Sequence, residues 1–120
     1  MQNNNLSERL LNFSVSVVKL VTKLDKISAG KHIANQLTRC ATSAGANYEE
    51  ACAAESKADF IHKLQIVLKE LRESAYWLRL IGRGELIRQN GLLSILKEAD
   101  ELVRIVAKSV ITAKSRRKDN

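Results

Sequence analysis

Two cysteines, Cys40 and Cys52, and two histidines, His32 and His62, are the side chains in this sequence best suited to hold a metal or act as nucleophiles. A zinc site needs ligand pairs at spacings such as C-x2-C or H-x3-H, because four ligands must converge on one tetrahedron. None of these four residues is paired in that way. The helix-borne carboxylate pattern, Glu-x-x-His, is also missing around Glu49, Glu50 and Glu55. Cys40 sits among Leu37, Ala41 and Ala44, where a thiol is packing material rather than a reactive thiolate. Cys40 and Cys52 are about 18 Å apart along a helix, too far to bridge. They are therefore expected as free thiols in a reducing compartment. Gly82-Arg83-Gly84 is too short for a phosphate loop and follows no strand. The expectation is a protein without catalytic residues, metal or cofactor, and not an enzyme.

Charge points elsewhere. The chain has 20 Lys and Arg against 13 Asp and Glu, a formal +7, which suits an acidic partner such as nucleic acid. His62, Gln65, Lys69, Arg72, Tyr76 and Arg79 recur at helical spacing, so cations track one face and Tyr76 adds an aromatic surface for a base. With Arg116, Arg117 and Lys118 near the end of the chain, the candidate contacts to RNA or DNA are Lys69, Arg72, Tyr76, Arg79 and these three. A solvated face with arginine stems lying over the core edge is the competing reading. A second line, Asp59, Lys63, Ile66, Glu70, Glu73 and Trp77, with Leu80 nearby, mixes an aromatic, apolar residues and both charges, as a subunit contact does. A third, Gln36, Cys40, Ser43, Asn47 and Glu50, is polar and small; with Arg39 it is expected to order a close helix contact or to face water.

The elements that must position these lines are all helices. There is no proline and there are only five glycines in 120 residues, so few places can interrupt a helix, and the length suits one domain with its own core. The spacing predicts helices over about 6–26, 31–54, 57–81 and 91–113, an all-α antiparallel up-down-up-down four-helix bundle filling 1–113, with 114–120 a disordered basic tail. The first helix is expected to start near Leu6, capped by Asn5 or Ser7. Its stripe of Leu6, Leu10, Phe13, Val17, Leu20 and Leu24 is flanked by Leu11, Val15 and Val18, an apolar arc of roughly 220°, wider than one bundle needs. Leu11, Val15, Val18, Ile66, Trp77 and Leu80 are therefore the candidate oligomer interface. The second helix, from Gln36 to Ala51, is poor in bulky side chains, so neighbours can come close. The apolar phase slips after it, and Ser56 with Asp59 can cap a third helix carrying Phe60, Leu64, Val67, Leu71 and Leu78. The fourth carries Leu92, Leu96, Ala99, Val103, Val106, Val110 and Ala113. No uncharged apolar run is long enough to span a membrane, and a cytoplasmic location is expected.

The segments QLTRCATSAGANYEEA, SKADFIHKLQIVLKELRESAYWLRLI and LLSILKEADEL together resemble the 23S rRNA intervening-sequence protein family over about residues 6–113. The family pattern recurs in order as Gln36, Arg39, Ser43, Asn47 and Glu50, then Asp59, Phe60, Lys63, Glu70, Glu73 and Trp77. Cys40 stands where the family often has Ser. The resemblance implies a four-helix bundle assembling into a ring, typically a homopentamer, with no known enzymatic activity. Members are named for reading frames within insertions in bacterial 23S rRNA genes. More distant relatives include the accessory protein of diversity-generating retroelements, a basic pentamer that binds nucleic acid and a reverse transcriptase. The expected partners are thus further copies of the chain and RNA or DNA, the alternative being a scaffold for a protein such as a reverse transcriptase. Arg39, Asn47 and Glu50 are expected to be structural, with Glu50→Ala costing assembly severely.

Overall fold

The computed structural model describes the backbone of residues 2–88 and 90–119 and the side chains of residues 5–88 and 91–116. Four helices follow one another: α1 (Gln2–Val21), extended by a 3-10 turn (Thr22–Leu24), α2 (Gly30–Cys52), α3 (Lys57–Arg83) and α4 (Asn90–Asp119). Each packs against its neighbours in chain order, and α1 closes the arrangement against α4, giving a bundle 53 × 21 × 20 Å. Contacts along the α1–α2 and α2–α3 seams run in opposite order on the two helices: Ser7 and Ser14 of α1 bond Glu49 and Ala41 of α2, and Glu50 and Arg39 of α2 meet Lys63 and Glu73 of α3. Both pairs are therefore antiparallel. The α1–α4 seam is clamped by Arg9, whose Nε and Nη2 lie 3.0 and 2.7 Å from the two Glu98 oxygens, with Glu101 on the same Nη2.

The core follows the sequence periodicity closely. Leu10, Phe13, Val17 and Leu20 of α1 and Leu24 of the 3-10 turn are all buried, while Leu6 is only partly so. In α4 the buried line is Leu92, Ala99, Leu102, Val106 and Val110; Leu96 and Val103 sit at its edge, so Leu102 was missed. The thin helix behaves as expected. Ala41 and Ala44 have no exposed surface, Ser14 Oγ donates to the Ala41 carbonyl at 3.1 Å, and a methyl group built on Gly45 would rest 3.8 Å from Leu10, ordinary contact distance.

Boundaries depart from the sequence reading at several places, among them the end of α1, which falls at Val21 with a 3-10 turn to Leu24 where the reading ran to 26. The first helix begins at Gln2 rather than Leu6, and Ser7 is not its cap but donates to Glu49. The segment read as a disordered tail continues α4 as far as Asp119; it has neither Gly nor Pro, and Lys and Arg are good helix formers. The third helix runs through Gly82 to Arg83. There Glu85, at φ 54°, takes the left-handed position that usually falls to Gly, and the Leu86 and Glu85 N–H groups bond the Ile81 and Gly82 carbonyls, each at 3.1 Å, closing a Schellman motif. The start of α3 is as expected, with Ser56 Oγ accepting from the Asp59 N–H at 3.0 Å.

Candidate nucleic-acid interface and the polar seam behind it

Behind the exposed surface of α3 lies a polar seam with α2. Arg39 places Nη1 3.2 Å from Glu70 Oε1 and Nη2 2.6 Å from Glu73 Oε2. Trp77, one turn beyond Glu73, donates its indole N–H to that same Oε2 at 3.1 Å, and its ring meets His32 of α2 edge-on at 5.8 Å. Further along, Lys63 pairs with Glu50 at 3.0 Å. The line from Asp59 to Trp77, read from sequence as a subunit contact, thus also makes contacts inside the protomer: Lys63, Glu70 and Glu73 pair with α2 and Trp77 meets His32 there, while Ile66 is partly buried. Leu80 does stay at the surface, 38 % exposed.

The third polar line divides. Cys40 is fully buried; the Ser74 hydroxyl lies 3.2 Å from its sulfur and 2.9 Å from the Glu70 carbonyl. Burial pushes the Cys40 thiol up from its ordinary value, against the smaller opposing effect of Ser74, so its thiolate is disfavoured. Asn47 turns back on its own helix, donating to the Ser43 carbonyl and hydroxyl at 2.9 and 3.0 Å. Gln36 and Ser43 are half-buried, and Glu50 is at the rim. Arg39, which hydrogen-bonds Glu73 first and Glu70 second, is held above its ordinary pKa, and the Glu73 carboxyl is held below its own by Arg39 and then Trp77.

The basic line is entirely at the surface. His62, Gln65, Lys69, Arg72, Tyr76 and Arg79 are all exposed. Among the described residues Lys69 and Arg72 form no ion pair, and Arg79 only approaches Asp100 of α4, at 4.0 Å. That approach brings in a residue the sequence reading missed: Arg104, exposed and one turn beyond Asp100, shares its face. The formal charge of the segment 92–113 is zero, which hid this; its acids Glu98 and Glu101 are turned to Arg9 on the other side of α4. Arg116 is exposed but lies at another place, lining a groove with Lys57 and Phe60. The side chains of Arg117 and Lys118 lie outside the described residues.

Apolar surface collects on α1. Leu11, Val15 and Val18 are 56, 44 and 47 % exposed, as the wide arc predicts. Leu11 borders a groove of about 490 Å3 between α1 and α2, floored by Gly45 and Ala46 and edged by Glu8 and Glu49. Among the described residues no three His, Cys, Asp or Glu side chains gather as metal ligands do, and no helix is long and apolar enough to cross a membrane.

Comparison with known proteins agrees with this architecture. No curated protein matches the chain. A crystal structure of a protein of unknown function from Bacteroides thetaiotaomicron VPI-5482, described as of the S23 ribosomal protein family, superposes with a TM-score of 0.83 at 36% identity, covering 92% of this chain and 98% of that one. The family model described as 23S rRNA-intervening sequence protein matches residues 2–108, and with the four-helix bundle in place, this chain belongs to that family.

Proposed function

We propose that this protein is a non-enzymatic, homo-oligomeric bundle that binds RNA or DNA through its α3 surface without reading sequence. The observation that carries the reading is the contrast between two sets of cations. Arg9 and Arg39 are consumed in ion pairs between helices, whereas Lys69 and Arg72 stand on an exposed line with Tyr76 and Arg79, joined by Arg104. Cations spaced along one rod-like face follow a phosphate backbone, and each contact releases counterions, so affinity falls steeply with salt.

Filter binding of an RNA and a DNA of mixed sequence tests it. Retention at low salt, lost on raising salt, is expected, and Lys69→Gln with Arg72→Gln should lower the salt slope by about 1.4 to 1.8 for two phosphate contacts. No retention of either nucleic acid at low salt overturns the reading. Assembly is proposed through the exposed Leu11, Val15 and Val18 and the adjoining groove, as a ring of the pentameric kind. Light scattering of the intact protein should give a multiple of 13.4 kDa; Leu11→Glu with Val15→Glu should return that single mass. The same acidic-edged apolar groove also favours a second reading, a scaffold for another protein, which predicts a protein partner retained by the wild type and lost by the Leu11 and Val15 variant while RNA retention is absent.

A further inference from the structure

Two grooves at the end of the bundle where α2 stops and α3 begins share one wall. The first, about 420 Å3, is bounded by Cys52, Glu55, Ser56, Lys57, Phe60 and Arg116 among others. The second, about 530 Å3, runs on between Phe60 and α4, with Lys108, Ser109, Thr112 and Arg116 on its sides. Phe60, Ala113 and Arg116 belong to both, so the two form one continuous slot with an aromatic side chain at its middle. Each part is within the roughly 300–1,000 Å3 typical of small-ligand sites. Three cations line it, Lys57, Lys108 and Arg116, against a single acid, Glu55. All three cations are exposed, while Phe60 is only partly so.

Resting on the reading that the chain binds nucleic acid, we infer that this slot takes an unpaired stretch of the strand, a base against Phe60 and its phosphates on Lys57, Lys108 and Arg116. The argument is one of reach. The exposed α3 line offers cations to any phosphate backbone, duplex or single. Phe60 is recessed between α3 and α4, and a base stacked inside a duplex cannot enter such a place, whereas an unstacked base can. The hydroxyls of Ser56 and Thr112 add donors for phosphate oxygens or the ribose. The charge balance of the slot selects an anion, and its aromatic wall selects an anion carrying flat apolar groups. The slot therefore converts a face that is indifferent to strandedness into a protein that prefers single strands.

The test uses the full chain with two fluorescent RNAs, an oligouridylate and a blunt-ended duplex of the same strand length, titrated by anisotropy. The wild type should bind the oligouridylate more tightly. Phe60→Leu, which keeps an apolar side chain against the core, should weaken the oligouridylate about fivefold or more, the loss of one stacked base, and leave the duplex within twofold. Lys57→Gln with Arg116→Gln, both at exposed positions, should lower the single-strand salt slope by about 1.4; this pair keeps the test decisive even where Phe60→Leu lowers the melting temperature. An oligouridylate carrying 4-thiouridine should crosslink to peptides containing residues 57–61 or 105–116. Unchanged single-strand affinity and slope in both variants, with RNA still bound, overturn the slot and leave the α3 face standing. Failure of the wild type to bind either RNA overturns both. Binding of polyglutamate in a Phe60-dependent manner, with no effect of these variants on RNA, assigns the slot to an acidic protein and overturns the inference.

Discussion

Arg39 of α2 and Glu73 of α3 are joined Nη2 to Oε2 at 2.6 Å, and the second acceptor role of that oxygen, toward the Trp77 indole at 3.1 Å, ties the aromatic to the same pair. Both interactions favour the charged carboxylate, so the Glu73 pKa is lowered in the folded chain. A lowered carboxyl contributes stability that is fully present above the unfolded Glu value of about 4.3 and is lost as pH falls through the folded value. With Glu73 30% exposed, solvent limits that contribution to about 1 kcal/mol or less. Thermal melts of the wild type and Glu73→Gln should therefore differ most near pH 6 and converge toward pH 3; a difference that grows on acidification contradicts the pairing.

Two other members of the seam are expected to behave differently from each other. Glu70 is only 8% exposed, so Arg39→Ala leaves a nearly buried carboxylate without its cation and should cost about 1–3 kcal/mol. Glu50, whose side chain is 65% exposed, holds Lys63 at the rim, and Glu50→Ala should stay within about 1 kcal/mol. Urea denaturation of the two variants checks the ordering. The severe loss of assembly expected for Glu50→Ala is a separate outcome, read from the mass of the variant in light scattering.

The bundle was legible because its signals are local. Spacings of three and four residues fixed the apolar stripes, and the Ser56 cap was readable from a hydroxyl three residues before Asp59. The exposed basic line was readable for the same reason, since residues on one face of a helix share its fate. What could not be read was which neighbour each remaining face meets. The line holding Glu70, Glu73 and Trp77 was read as a subunit contact with no partner inside the protomer because Arg39 is 31 and 34 residues away from the two acids. Arg9 escaped notice for the same reason, as its partners Glu98 and Glu101 lie at the far end of the chain. The slot around Phe60 is assembled from the ends of three helices, and no single periodicity contains it.

The two thiols should separate cleanly in a labelling experiment. Cys40 is fully buried, with its pKa raised by desolvation, while Cys52 is exposed. Iodoacetamide near neutral pH should modify Cys52 readily and Cys40 only on unfolding, giving one adduct in the native protein and two in denaturant by mass spectrometry. Rapid native modification of Cys40 would reopen the possibility of a nucleophile on α2 and contradict the packing described for it.

Glycine is required at one turn and displaced from another. At Gly30, where α2 begins, a methyl group would fall 1.9 Å from the Leu24 carbonyl oxygen and 2.8 Å from its carbon, both backbone atoms. The carbonyl is itself held by the Ile27 N–H at 3.1 Å, and Gly30 N–H bonds Ile27 O at 2.8 Å. Gly30→Ala must therefore open this turn, and a cost of about 1–3 kcal/mol is expected, as for overpacking elsewhere. In the α3–α4 turn Glu85 adopts φ 54°, where a side chain crowds its own backbone at a cost of roughly 1–2 kcal/mol. Glu85→Gly relieves that strain, although glycine also gives the unfolded chain more freedom to lose, roughly 0.5–1 kcal/mol. The strain is the larger of the two, so Glu85→Gly should raise the melting temperature slightly while Gly30→Ala lowers it by several degrees. Denaturant midpoints measured on the two variants, with unchanged slopes, decide both signs; a stabilising Gly30→Ala would mean that the α1–α2 turn is not closed on the Leu24 carbonyl.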